Sequence, residues 1–331
     1  MKWFQNISLD KISYYLPDKI ENIESLDQKY EGWDIKSVIN KTGIKKRHIA
    51  KKDETALDLA VKGCVKFFDE HDVKIDNINS LIFVTQSPDY ALPTSACVLQ
   101  HKLGLPKDIL AFDINLGCSG FVNSLSVATS LIDSSMIDNC LIVCAETYSK
   151  YIREDDRTTR TIFSDASAVC LVEKNNKSTF SIGKSQFGVD GSGADNLIVK
   201  GSGARELLIN ENNHLFMDGS KVFMFTLNEV PKLVNNILSE ADKSIGDIDL
   251  FFFHQASKIV LDSIGKKLSI PELKMYNNLG EIGNTVSCTI PISLSNAIRK
   301  KKLKPGMIIM IIGFGVGYSS GGTIIEWGKS K

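Results

Sequence analysis

The chain has 331 residues, 43% of them apolar, which is enough for one large globular protein or two ordinary domains and too apolar for a disordered chain. Lysine plus arginine and aspartate plus glutamate both number 39, so net charge supplies no pull toward nucleic acid or an anionic membrane. The seven cysteines, an odd count scattered through apolar segments such as those around Cys140, Cys144 and Cys170, lack metal-ligand spacing, so reduced thiols and no metal are expected.

The N-terminus, MKWFQNISLDKIS, has neither the apolar run nor the cleavage site of a secretory signal, and a cytoplasmic protein is expected. Residues 54–71 place apolar side chains at three- and four-residue steps, the pattern of an amphipathic helix. Residues 75–84 pass from a polar turn into the apolar strand LIFV. ILAFDIN (109–115) reads as a strand and SGFVNSLSVATSLIDSS (119–135) as a helix with Phe121, Leu125 and Ala128 on one face. Between them stands Cys118, with Gly117 before it and Gly120 after it. At a helix N-terminus the unpaired N–H groups and the positive end of the dipole are expected to favour thiolate over thiol, although the same position also suits a buried structural cysteine.

Further on, LIVCAE (141–146) and SAVCLVEK (167–174) read as strands. GVDGSGADNLIVKGSGARE (188–206) carries five glycines and reads as a linker; it lacks the order and the following helix of a dinucleotide-binding loop. A long helix is expected over 220–242, around Pro231, with Ser220 as its N-cap. Residues 245–253 pass in the same way from a polar turn into an apolar strand that ends with His254, and ligand groups of open α/β sheets collect at that edge. GEIGNTVSCTIP (280–291) sets Asn284 ahead of a helix expected to begin near Pro291; its carboxamide is a donor that does not titrate. IIMIIGFGVGYSSGG (308–322) puts Gly313, Gly315 and Gly317 after a strand, either to aim backbone N–H groups at an oxyanion or to make a tight turn.

These segments repeat. IDNINSLIFV is echoed by IGDIDLFFF, LIVCAE by IIMIIG and SAVCLVEK by GGTIIEWG, the first two at offsets of about 167 residues and the third at about 154. The strands are apolar on consecutive residues, as strands covered on both faces are. The expectation is an internally duplicated α/β protein with layered helices and two mixed sheets. Residues 1–185 would form the half carrying Cys118, and 186–331 the half carrying His254 and Asn284. Under the repeat, the Asn284 loop is the partner of the Cys118 turn, and the two face each other.

The cysteine in D-x-x-x-x-C-S-G-F, followed by HQAS, GNT ahead of a proline and GFGVG, resembles the thiolase-fold condensing enzymes, most closely the 3-oxoacyl-[acyl-carrier-protein] synthase III family. TGIKKRHIA (42–50), LPTSACVLQHKLGL (92–105), DRTTRTIFSDAS (156–167) and MDGSKVF (217–223) extend the resemblance over nearly the whole chain. It implies a thiolase-like fold with mixed five-stranded sheets, a homodimer and no tightly bound cofactor. The implied substrates are acyl-coenzyme A and malonyl-[acyl-carrier protein], with acyl carrier protein as partner. Cys118 would take an acyl group from a thioester, while His254 and Asn284 polarise the malonyl thioester carbonyl. Loss of carbon dioxide then needs only donors to the developing enolate oxygen. The backbone N–H groups of Cys118 and Val316, the latter next to Gly315, would hold the tetrahedral oxyanion.

Departures from the family pattern bear on the substrate. Ser37 stands where the resemblance implies a tryptophan stacking on the coenzyme A adenine, with Trp33 nearby but out of register; Arg157 matches the arginine on the other side. Losing one stacking face weakens coenzyme A binding by roughly 1 kcal/mol, which suggests a carrier-borne donor. Leu92, before Pro93, stands where the resemblance implies a phenylalanine that closes the acyl pocket across a dimer interface. HQAS replaces HQAN, and Lys258 lies one place from the usual arginine. Candidate docking charges for an acidic carrier are Lys45, Lys46, Arg47, Lys258 and Lys266, with Lys267 and the run 299–304 beside them. Two other readings stand: an acyltransferase that passes the Cys118-bound group to an alcohol or amine, and a non-catalytic subunit supporting an active homologue.

Overall fold

The computed structural model describes residues 1–207 and 213–328, so the last residues of the second expected half, 329–331, lie outside it. Up to residue 174 the chain runs β1 (Trp3–Gln5), β2 (Ile7–Tyr15), β3 (Lys19–Asn22), α1 (Leu26–Lys29), α2 (Ile35–Thr42), β4 (Lys46–Ile49), α3 (Ala56–His71), β5 (Ser80–Val84), α4 (Ser95–Leu103), β6 (Leu110–Ile114), α5 (Gly120–Asp133), β7 (Asn139–Glu146), α6 (Arg157–Arg160) and β8 (Ala166–Lys174). It continues through β9 (Ser181–Gly183), β10 (Gln186–Val189), β11 (Leu197–Val199), β12 (Leu215–Met217), α7 (Gly219–Glu240), β13 (Leu250–Phe253), α8 (Lys258–Leu268), α9 (Leu279–Ile282), α10 (Thr289–Arg299), β14 (Ile308–Gly315) and β15 (Ser319–Glu326).

Two mixed sheets carry the architecture. The first has the order β2-β8-β7-β5-β6, with β5 parallel to both β6 and β7, and β8 antiparallel to its neighbours. In the second, β13 is parallel to β14, β14 is antiparallel to β15, and the far edge of β15 is shared by β9 and β10, with β1 beyond β9. The expected five strands are therefore six here, because one lane is broken into β9 and β10. The position matching β6 is reduced to a single bridge between Phe251 and Met275.

The echoed segments fall on β5 and β13, β7 and β14, and β8 and β15. Apolar residues of both sheets close on α5 and α10, which lie between them: Phe121, Leu125, Ile290 and Leu294 join Ile82, Ile142, Ile309 and Ile325 in one buried cluster. Helices α3 and α4 cover the outer face of the first sheet, and α7 and α8 that of the second. The result is five layers, helix and sheet alternating, and it explains why β5 and most of β7 and β14 have no polar face.

Local details depart from expectation. Helix α7 starts earlier than expected because Asp218, not Ser220, caps it: its carboxylate accepts from the Lys221 N–H at 3.0 Å. Helix α10 begins at Thr289, two residues before Pro291. The glycine-rich stretch is ordered structure, not a plain linker: β10 pairs with β15 and β11 with β12. Among the described residues no helix is long and apolar enough to cross a membrane.

Candidate active site

A cavity of about 860 Å³ runs inward from Lys41, Phe216, Met224 and Ile259 to Cys118, His254, Asn284 and Phe314. It lies where the carboxyl ends of β13 and β14 meet the start of α5, so the duplication brings three residues that are far apart in sequence to one point.

Cys118 sits on the turn before α5 and is buried, 6% exposed. The turn rests on β14. A Cβ built on Gly313 would fall 2.8 Å from the carbonyl oxygen of Cys118, and one on Gly315 would fall 2.9 Å from the sulfur. Both glycines belong to the paired strand and not to the loop, since Gly313 is opposite Gly321 and Gly315 opposite Ser319. They are small because the Cys118 turn packs against them. The expectation of a ready thiolate is corrected: burial, then the charge of Glu146, pushes the thiol up to about 12, and the backbone N–H groups of Cys118 and Val316 offset this only in part. Those two N–H groups are the pair that the sequence nominated for an oxyanion.

His254 follows the last residue of β13 and is tied down by its own N–H, which donates to the Ile312 carbonyl at 2.8 Å. Its ring stands edge-on to Phe314 at 5.5 Å. Burial pushes the imidazole down to about 3, so it is neutral at ordinary pH. Nδ1 lies 2.8 Å from the Thr289 hydroxyl, which also reaches the Val286 carbonyl at 3.1 Å. Asn284 is buried; its Oδ1 accepts from the Val286 N–H at 2.9 Å, and its Nδ2 donates to the Ala256 carbonyl at 3.4 Å. That fixes which end of the carboxamide is the donor end.

Beneath the cysteine lies a residue that the sequence reading passed over. Glu146, the last residue of β7, is fully buried. Oε2 accepts from the Gln86 N–H at 3.1 Å and the Ser87 hydroxyl at 3.0 Å, and Oε1 accepts from the Ser287 hydroxyl at 2.8 Å. One carboxyl thus links the loop after β5 to the loop that carries Asn284. Burial pushes it up to about 7. Its signal was available, as an acid ending an otherwise apolar strand. Asp113, the aspartate of the cysteine motif, acts structurally, because its carboxylate accepts from the Ser95 and Ala96 N–H groups and so caps α4.

The remaining nominated residues scatter. Arg47 cannot meet a partner: it is 2% exposed, with its guanidinium on Glu21 and on the Phe163 carbonyl at 2.7 Å. Lys46 pairs with Glu281 at 2.6 Å and Lys258 with Asp262, whereas Lys45 and Lys266 are exposed. Ser37 lies in the first turn of α2, its N–H donating to Asp34, and Arg157 is exposed at the start of α6; neither lines the cavity, although Lys41 and Thr158 do. Trp33 is stacked on Tyr30 at 4.3 Å, and the Arg160 guanidinium lies 5.6 Å from the same tyrosine ring. Leu92 is 82% exposed and lies outside the cavity of its own chain. No cluster of side chains able to hold a metal occurs among the described residues.

The duplicated five-layer fold defines a class, the thiolase-fold acyltransferases. Profiles of 3-oxoacyl-[acyl-carrier-protein] synthase III and of its C-terminal region match residues 112–191 and 238–327. The chain is 32% identical to a beta-ketoacyl-[acyl-carrier-protein] synthase III of Fusobacterium nucleatum, over 98% of this chain and 99% of that one. It is 33% identical to one of Clostridium novyi, over 97% and 99%. The crystal structure of a 3-oxoacyl-(acyl-carrier protein) synthase from Burkholderia xenovorans superposes with a TM-score of 0.91 at 32% identity, over 98% of this chain and 95% of that one. The chain belongs to the 3-oxoacyl-[acyl-carrier-protein] synthase III family.

Proposed function

We propose that the protein loads an acyl group onto Cys118 and condenses it with malonyl-[acyl-carrier protein], giving a 3-oxoacyl-[acyl-carrier protein] and carbon dioxide. The observation that carries this reading is the single cavity on which Cys118, His254 and Asn284 converge. In the first half-reaction the Cys118 sulfur replaces the donor sulfur at the acyl carbon, and the thiol proton leaves with the donor thiol. In the second, the malonyl carboxylate departs as carbon dioxide, and its bonding electrons pass into an enolate. Asn284 Nδ2 and the neutral His254 ring donate to that oxygen. This role needs the ring proton on Nε2, with the Thr289 hydroxyl donating to Nδ1 instead of to the Val286 carbonyl that it faces at 3.1 Å. The enolate carbon then attacks the acyl-cysteine, a carbon–carbon bond forms, and the sulfur leaves. The N–H groups of Cys118 and Val316 stabilise the oxyanion in both halves.

The reading includes a cytoplasmic homodimer in which Leu92 approaches the partner's acyl pocket; its exposure beside the equally exposed Tyr90 supports this. It also includes docking of an acidic carrier near Lys45 and Lys266. Ser37, in the family's tryptophan position, offers no stacking face, and Trp33 has one face taken by Tyr30, which favours a carrier-borne donor over coenzyme A.

Intact-protein mass spectrometry tests the reading. Acyl-coenzyme A and acyl-carrier donors add an acyl mass that Cys118→Ala abolishes, and malonyl-carrier discharges it as a 3-oxoacyl product. Asn284→Ala slows the discharge by roughly a hundredfold while sparing the loading; equal loss of both steps counts against this division of roles. Discharge by an alcohol or amine, with malonyl-carrier inert, would bring the acyltransferase reading forward.

A further inference from the structure

Arg47 carries its charge in a place with almost no water, 2% exposed. Burying an ion pair costs desolvation that the attraction between the partners barely offsets, so stability is a weak reason for its presence. The cost is visible here, because the Nε–H groups of Arg47 and Arg160 are both buried without an acceptor among the described residues. Glu21, on β3, meets both guanidinium groups, that of Arg47 from β4 and that of Arg160, at 2.6 Å, from the end of α6. Held on that side by Glu21, Arg47 donates from Nη1 to the Phe163 carbonyl at 2.7 Å.

Phe163 is the residue that faces Asn284 along the backbone. The two form an isolated parallel bridge: the Asn284 N–H donates to the Ile162 carbonyl at 3.0 Å, and the Ser164 N–H donates to the Asn284 carbonyl at 2.8 Å. Residues 162–164 lie between α6 and β8 and belong to neither. Behind them stands β4, where the His48 N–H donates to Ser164 Oγ at 2.7 Å and the His48 carbonyl accepts from the Asp165 N–H at 2.8 Å. The bonds of the Asn284 side chain to Val286 and Ala256 turn its carboxamide, whereas the bridge to 162–164 sets where its backbone stands. The carbonyl in the middle of that support is the one Arg47 holds.

We propose that Arg47, clamped by Glu21, is a positioning residue for Asn284: by holding the Phe163 carbonyl it keeps residues 162–164, and through them the carboxamide, where the enolate oxygen forms. The inference rests on the role proposed for Asn284 and deepens it. Arg47 touches no substrate and acts only through that backbone. A donor displaced by about 1 Å costs on the order of a hundredfold in rate. Because Asn284 serves condensation and not loading, the loss falls on one step.

The experiment times loading by acetyl-coenzyme A or acetyl-carrier, and discharge by malonyl-carrier, separately by intact mass. It compares the full-length enzyme with Arg47→Met, Asn284→Ala and the double variant, each checked for folding by circular dichroism. Arg47→Met removes the contact to Phe163 and leaves Glu21 paired with Arg160. It is expected to slow discharge by roughly ten- to a hundredfold while loading keeps its native rate. Residues that act as a unit are not additive, so the double variant discharges no more slowly than Asn284→Ala. Arg47→Lys keeps a cation beside Glu21 but lacks the fork that serves Glu21 and Phe163 together; its discharge rate falls between native and Arg47→Met, and it carries the same test if Arg47→Met does not fold. Native discharge, equal slowing of both steps, or a double variant in which the two losses multiply overturns the proposal and leaves Arg47 a structural residue. If Asn284→Ala itself slows both steps alike, the role of Asn284 is what fails, and the proposal falls with it. Native enzyme loaded by neither donor overturns the Cys118 reading beneath both.

Discussion

Glu146 and His254 are both fully buried, and burial moves them in opposite senses: the carboxyl rises to about 7 and the imidazole falls to about 3. Each is thereby neutral in the fold over a range where the unfolded chain would carry a charge. For Glu146 the folded state holds a proton that the unfolded chain releases above its ordinary 4.5, so stability present below that pH is lost as pH rises toward 7. That loss is about 3 kcal/mol. For His254 the unfolded chain takes up a proton below 6.5 that the fold refuses, so stability is lost as pH falls from 6.5 toward 3. Between the two ordinary values the slopes oppose each other and largely cancel. Glu146→Gln keeps an acceptor for the Gln86 N–H but removes the titration, and leaves the His254 slope exposed. Urea unfolding at several pH values is expected to show the stability of the native protein, relative to this variant, falling by about 3 kcal/mol between pH 4.5 and pH 7. A difference that stays constant would mean that Glu146 does not titrate in that window. Cys118, His254 and Asn284 were legible because each stands at the end of a readable strand or ahead of a readable helix. Glu146 left one local trace, an acid at the end of an apolar strand, but its partners Gln86, Ser87 and Ser287 come from segments distant in sequence, which no local pattern encodes.

At the scale of elements, the site depends on how closely α5 approaches β14. Strand β14 is paired along its length with β15, so its backbone cannot retreat, and the Cys118 turn must fit against whatever side chains it carries. Gly315→Ala would set a methyl group 2.8 Å from the Cys118 Cβ, well inside ordinary contact. Relief has to come from the turn. The expected result is a stability loss of about 1–3 kcal/mol, typical of overpacking, together with Cys118 acylation slowed by roughly a hundredfold, because the sulfur shifts from its two N–H donors. Thermal melting and the acylation rate measure the two effects; normal loading by a folded variant would show that the turn tolerates displacement. In the sequence these glycines read as a turn after the strand. They lie in the strand itself, because the reason for a glycine here is the neighbour across the layer and not the local backbone. The same blindness to the third dimension made Arg47 resemble a docking charge when it is folded inward onto Glu21.

At the scale of the whole molecule, the repeat marks two similar units, yet their contacts do not divide between them. Strands β1 and β9 belong to the first 185 residues and pair into the second sheet, where β9 meets Ile325 and Glu326 of β15. Phe180 packs edge-on against Trp327 at 4.9 Å, and the N-terminal amine donates to the Glu240 carbonyl at 2.9 Å. The central layer is shared, since α5 comes from one unit and α10 from the other, and the Glu146–Ser287 hydrogen bond crosses between them. A piece containing only residues 1–185 would expose the inner face of its sheet, including Ile82 and Ile142, to water. A piece from 186 onward would keep β10 on β15 but lack β9 and β1, leaving Ile325 and Glu326 without their partners in β9. Neither could bury its share of the common core, and burial of that area is what offsets chain entropy. The expected outcome is one cooperative transition for the full chain in calorimetry, with both pieces, expressed separately, lacking near-ultraviolet circular dichroism. Two resolved transitions, or a fragment with native-like tertiary signals, would mean that each unit stabilises itself and that the catalytic cavity lies between autonomous domains instead of within a single folding unit.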